Sequence, residues 1–274
     1  MLLSRLDVTN SRGNVLTLNL EEDDSPYQIA DIDGLDPVKA TLVSSSYAGT
    51  DGEEFQSAKR PARNIKIKLD LDPDFNPKGY ADLRNDLYAF FLPKSKISMR
   101  FYLTSGLYLD IEGRVESMDS PPFGLDPVVD ISIMCYDPDF IDGRMITRNG
   151  MTVNTNVNTV IDYPGTVESG TVITINFNRD VDEFSIYNTD EGGNTYQLDF
   201  SGTILDEDTL VISSLSGNKG ITLTRDSVSS SFLYGRSSQS SWIDLVEGLN
   251  QFRIYAEGDP IPYVLEYVVR YGGL

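Results

Sequence analysis

Histidine is absent from this 274-residue chain, and cysteine and tryptophan occur once each, as Cys135 and Trp242. Without histidine the commonest general base and the commonest zinc ligand are missing. A single cysteine excludes an intramolecular disulfide and any cysteine-rich metal site. Cys135 lies in an alternating stretch and is expected in the core, in a compartment that is reducing or whose redox state is irrelevant. Basic residues are scarce too: 22 Lys and Arg stand against 42 Asp and Glu, a net charge of −20. That balance repels phosphate and anionic lipid, favours solubility and argues against sequence-specific nucleic-acid binding. No apolar run approaches the roughly 20 residues needed to cross a bilayer, and the N-terminus has no signal-peptide pattern. A soluble, unprocessed chain without membrane insertion is the expectation.

What is present is the raw material of β structure. Apolar residues make up 40% of the chain and aromatics 10%, enough for a packed core. The length exceeds one typical domain, so two are expected. The segment Arg63 to Val115 organises the first. Ile65, Ile67, Leu69 and Leu71 alternate with Asn64, Lys66, Lys68 and Asp70, the period of two that turns one face of a strand inward. Asn76 and Pro77 suit a helix start, and Tyr80, Leu83, Leu87, Phe90 and Phe91 form an apolar stripe that ends before Pro93. Ile97 to Leu103 and Leu107 to Val115 then alternate about a Thr104-Ser105-Gly106 turn, a hairpin that gives the helix a sheet to cover.

Upstream, Leu2 to Val8 and Leu16 to Leu20 read as an opening hairpin, and Tyr27, Ile29 and then Val38, Ala40 and Leu42 as two further strands. Glu21 to Asp24 is a run of carboxylates without ligand geometry and reads as a solvated turn. Ser44 to Ala62 carries Tyr47 and Phe55 but no periodicity, and reads as a long arm whose aromatics are free to bury against another chain. Lys59, Arg60, Arg63, Lys66 and Lys68 concentrate basic charge next to it, suited either to an acidic surface of the same or a like chain or to a solvated strand face. Tyr47, Phe55, Lys59, Arg60 and Arg63 are therefore the candidate subunit-interface residues. Asp70, Asp72 and Asp74 imitate the start of a calcium loop, but Phe75 and Ala81 stand where Gly and Glu are required, so no metal is expected there. Val129 to Cys135 makes a last strand, and the first domain is expected to span residues 1–141.

Residues 142–274 form the second expected domain. An Asn-, Thr- and Gly-rich connection through residue 165 leads to about eight short strands, among them Ile173 to Phe177, Phe184 to Ile186, Tyr196 to Phe200, Phe232 to Tyr234 and Val264 to Val269. Strands this short and regularly punctuated mean a β-sandwich or jelly roll.

Two groups of stretches together resemble the distal tail proteins of siphovirus-type bacteriophages. The first is Ile32-Asp33-Gly34-Leu35, the arm with Asp51-Gly52, Arg63-Asn64-Ile65, and Leu83 to Leu87 leading to Pro93-Lys94. The second runs from Trp242 through Leu245, Gly248 and Asn250 to Arg270-Tyr271-Gly272-Gly273-Leu274. The resemblance implies a mainly β protein, with an N-terminal tail-tube-like β-barrel or sandwich carrying one α-helix and a C-terminal galectin-like β-sandwich. It also implies a homo-hexameric ring at the distal end of the virion tail, made in the host cytoplasm, joining tail tube to baseplate hub with DNA passing through its lumen. Tail tube protein, hub, tape measure and receptor-binding proteins are the implied partners.

No catalytic, cofactor-binding or metal residues are assigned, and the expectation is a structural protein, not an enzyme. The alternative is a host-glycan-binding sandwich of the tail tip, against which Trp242 reads better as packing than as a sugar platform. A glycoside hydrolase would need a pair of carboxylates that nothing in the sequence singles out.

Overall fold

The computed structural model describes residues 3–20, 25–49, 51–72, 79–121 and 127–274. It divides into two compact units, Met1–Gly143 together with Gly272–Leu274, and Arg144–Tyr271. The last three residues thus group with the first unit, where the sequence reading had assigned them to the second domain.

The first unit contains β1 (Leu3–Asn10), β2 (Val15–Asn19), β3 (Tyr27–Asp33), β4 (Thr41–Ser45), β5 (Glu54–Lys59), β6 (Arg63–Leu71), α1 (Tyr80–Phe91), β7 (Lys96–Leu103), β8 (Tyr108–Asp119), β9 (Val128–Cys135) and β10 (Phe140–Asp142). The main sheet runs β2-β1-β7-β8-β9-β6-β3, antiparallel throughout. Its two end strands also touch, so the sheet curls round its apolar side. The period-two prediction for β6 holds residue by residue: Ile65, Ile67, Leu69 and Leu71 are buried, whereas Lys66, Lys68 and Asp70 are exposed.

Helix α1 packs on β1, β6 and β8. Its inner stripe is narrower than predicted, with Leu83, Leu87 and Phe91 fully buried at i, i+4 and i+8, and Tyr80 and Phe90 only half-buried. Three such side chains contribute on the order of 5 to 9 kcal/mol before chain entropy is counted. Leu92 leaves the helix in an extended conformation, as a residue preceding proline must. Asn10 ties the opening hairpin to the helix: its Nδ2 donates to the Ala89 carbonyl at 2.9 Å while its Oδ1 accepts from the Arg12 and Asn14 amides. The expected helix start at Asn76 and Pro77, the Glu21–Asp24 turn and Asp74-Phe75 of the rejected calcium loop lie outside the described residues.

Two expectations fail here. No strand occupies Val38 and Ala40, and the arm beyond them is not structureless: β4 and β5 pair as an antiparallel hairpin.

The second unit is a sandwich. One sheet holds β11 (Ile146–Met151), β13 (Ser169–Asn176), β16 (Thr209–Ser213), β17 (Gly220–Arg225), β18 (Val228–Ser231) and β21 (Pro262–Tyr267) in the order β11-β21-β13-β16-β17-β18, with β19 (Asp244–Leu245) alongside β13. The other runs β12-β20-β14-β15, from β12 (Thr159–Tyr163), β14 (Val181–Thr189), β15 (Thr195–Ile204) and β20 (Gly248–Tyr255). One continuous core lies between them, including Phe184 stacked on Phe200 with ring centres 4.5 Å apart. Residues 146–163, read from the sequence as connection, supply a strand to each sheet. Phe232 to Tyr234 is no strand: Phe232 is buried at the N-cap of a short 3-10 turn, Leu233–Gly235.

Candidate assembly interface

The β4–β5 hairpin is the part of the first unit least served by its own core. Leu42 pairs with Ala58 and, after a bulge, Ser44 with Phe55, so Leu42, Ala58 and Phe55 share a face. That face is uncovered: Leu42 is 67% and Phe55 64% exposed, with Val43 and Tyr47 likewise in solvent. The hairpin's polar contacts are largely its own, Tyr47 donating to Glu54 at 2.9 Å and Gln56 to the Ser45 hydroxyl at 2.9 Å. A two-stranded hairpin is only marginally stable in water without a surface to pack on. Tyr47 and Phe55 thus both stand exposed on one two-stranded hairpin.

The five clustered basic residues do not form one positive surface. Lys59 is exposed at the end of β5. Arg60 is held by Asp139, a buried carboxylate, through both of its terminal nitrogens. Lys68 lies across from Asp31 on one side and Asp130 on the other, and Lys66 across from Asp33 and Ser132, so the sheet itself supplies their counter-charges.

Arg63 corrects the sequence reading most plainly. It is 2% exposed and is no surface contact of the described chain. Its Nε donates to the Pro138 carbonyl at 2.7 Å, Nη1 to the carbonyls of Gly34 at 2.6 Å and Asp36 at 2.7 Å, and Nη2 to that of Gly272. Its guanidinium also lies 4.5 Å from the centre of the Phe140 ring. Burial pushes the Arg63 pKa down from its ordinary value, with Cys135 and Asp139 acting against that shift. The carbonyl dipoles do what a carboxylate would otherwise do for a buried cation. Around it the chain comes close: a Cβ on Gly34, whose φ is +88°, would sit 2.1 Å from the Asn64 carbonyl oxygen. A Cβ on Gly273 would meet Pro37 at 2.7 Å, and the Leu274 amide donates to the Leu35 carbonyl at 3.1 Å. Asp33-Gly34-Leu35, Arg63-Asn64 and Gly272-Gly273-Leu274, scattered in sequence, meet in one close-packed junction around the buried Arg63.

The Trp242-to-Asn250 stretch is likewise a built turn. Asn250 is fully buried; its Nδ2 donates to the carbonyls of Val246 at 2.7 Å and Gly248 at 3.0 Å, and its Oδ1 accepts from the Val246 amide and from Asn188. Gly248 takes a φ of +86°, which other residues rarely adopt. Leu245 is buried, and Trp242 packs against the sandwich core with Arg236 4.9 Å above its ring. Residues 164–271 match the family model described as the siphovirus-type tail component, C-terminal domain. The second unit is similar to that domain over the greater part of its length. The whole chain shares its fold over nearly its full length with the Dit protein of phage SPP1, described as a paradigm of the hub adsorption apparatus in phages that infect Gram-positive bacteria. The TM-score is 0.70 at 15% identity, with 97% of this chain and 98% of that one covered. Together the two matches bear out the resemblance to distal tail proteins. Structures of the phage p2 baseplate in its activated conformation, with calcium and with strontium, align at a TM-score of 0.43 and 9% and 10% identity. They cover 97% and 95% of this chain and 97% of each of those chains. No curated protein matches it by sequence. Among its described residues no group of three or more His, Cys, Asp or Glu is arranged to hold a metal.

Proposed function

We propose that this chain is a tail component, the distal tail protein of its virion. Six copies form a homo-hexameric ring that joins the tail tube to the baseplate hub and lets the genome pass through its lumen. The uncovered β4–β5 hairpin carries the reading: Leu42, Tyr47 and Phe55 stand in solvent on an element that lacks a core of its own, as a limb that packs on an adjacent subunit would. Tail tube protein and hub are the partners on the two sides of the ring, with tape measure and receptor-binding proteins the further contacts. The chain acts by contact alone, without catalysis or cofactor.

The charge fits that passage. Six copies at −20 each bring a net charge of about −120 to the ring. Carboxylates on the bore repel phosphate over about one Debye length, roughly 8 Å at physiological ionic strength, and keep DNA from adhering. The test of the hairpin is the double variant Leu42→Glu/Phe55→Glu, both sites being exposed. The expected result by light scattering is loss of hexamer with an unchanged circular dichroism spectrum. Hexamers of undiminished stability would refute the limb.

A further inference from the structure

The outer face of the four-stranded sheet in the second unit carries a cleft of about 310 Å³ lined by Asn154, Thr155, Asn156, Tyr187, Arg253 and Tyr255. Its floor is set by strand register, Tyr187 of β14 standing opposite Arg253 of β20 and Ser185 opposite Tyr255. Its rim is the loop between β11 and β12. Thr152 is buried with its hydroxyl accepting from the Ile261 amide at 2.9 Å, and Val153 bonds along β20 through the Ile254 carbonyl at 2.8 Å and the Ala256 amide at 3.1 Å. Both anchors hold Asn154 to Asn156 over the sheet.

A chain of polar contacts links β15, β14 and β20 at this level, Gln197 reaching the Tyr187 hydroxyl at 3.4 Å, and ends at Asn158, just before β12. Ser185 and Gln197 donate to Asp199 at 2.6 and 2.7 Å, Arg253 lies 4.2 Å over the Tyr187 ring and donates to Asn158 at 3.0 Å, and Asn158 donates to Gln251 at 3.0 Å. These side chains are therefore oriented before any ligand arrives. Unspent capacity faces the cleft: Asn154 and Asn156 are exposed and make no side-chain hydrogen bond among the described residues. Tyr255 is 37% exposed.

We propose that this cleft is a binding site for an uncharged saccharide. Planar amides and a guanidinium held at fixed angles suit the paired donors and acceptors of adjacent sugar hydroxyls. The exposed Tyr255 ring offers an aromatic surface for the sugar's C–H groups. Arg253 is the one charged side chain of the six that line the cleft, and a net charge of −20 for the chain opposes a polyanion. The site is independent of ring assembly.

The test uses the full chain and a panel of neutral oligosaccharides of glucose, galactose and N-acetylglucosamine, read by saturation-transfer NMR and calorimetry. At least one member is expected to bind saturably, with affinity falling tenfold or more in Tyr255→Ala and in Asn154→Ala/Asn156→Ala, while thermal midpoint and oligomeric mass stay unchanged. Absence of saturable binding at roughly 10 mM sugar would overturn the assignment. Binding that survives both variants, or a face protected from hydrogen exchange by another tail protein and blind to sugars, would overturn it equally.

Discussion

Arg63 gives the sharpest test of how the first unit is held together. Replacing it with Met keeps an apolar stem of similar reach and removes the donors to Gly34, Asp36, Pro138 and Gly272. A hydrogen bond to a charged group is worth about 1.5 to 3 kcal/mol, and a buried acceptor left unpaired costs about 1 to 3. Four such bonds would sum to about 6 to 12 kcal/mol if they were additive, but relief of the cation's burial offsets part of this. The expected loss is about 3 to 5 kcal/mol. Arg63→Lys separates charge from geometry: one ammonium cannot span carbonyls that converge from four directions, so it should lose about 2 to 4 kcal/mol although its charge is kept. Exposed Lys59→Ala, the control, should change stability by less than about 0.5 kcal/mol. The assay is the urea midpoint of the first unit's transition. An Arg63→Lys variant within about 1 kcal/mol of wild type would refute the junction as the reason this arginine is buried.

Leu87→Ala should cost about 2 to 5 kcal/mol by opening a cavity beneath α1, whereas exposed Asn85→Ala should cost under about 0.5; similar urea midpoints would refute the helix orientation. Burial pushes the Cys135 thiol up to about 12, so it should not react with a thiol reagent at pH 8 until the protein unfolds, and prompt labelling of native protein would contradict its place in the core. The hydrogen bonds from Arg225 hold the Asp208 carboxyl below the usual carboxylate range. Because the folded pKa is the lower one, this contribution is present above about pH 4 and is lost as pH falls through the folded value. The second unit's urea midpoint should therefore drop between pH 5 and pH 3 more in wild type than in Asp208→Asn, and equal drops would show that the pair does not link folding to protons.

Elements with one wet and one dry face were legible in the sequence. Strand β6 and the β7–β8 hairpin alternate because each buries one side, and Leu83, Leu87 and Phe91 recur at helical spacing for the same reason. The β4–β5 hairpin was not legible as strands, since every residue of β5 is exposed and neither face imposes a period. Strand β11 is hidden likewise, lying mostly in solvent at the edge of its sheet. The wider stripe drawn through Tyr80 and Phe90 counted aromatics that only rim the helix contact. Arg63 looked like surface charge because nothing local announces burial; its acceptors come from residues 27, 29, 75 and 209 positions away. The Asn154–Asn156 rim read as a linker because Asn and Thr signal loops wherever they occur, and only tertiary anchoring at Thr152 and Val153 turns this loop into the wall of a cleft.

Native mass spectrometry of the full chain tests the central claim most directly. A ring of six chains of 30.5 kDa gives about 183 kDa, and that species should dominate at micromolar concentration and persist on dilution. A spectrum holding only the 30.5 kDa monomer across the same range would contradict the ring.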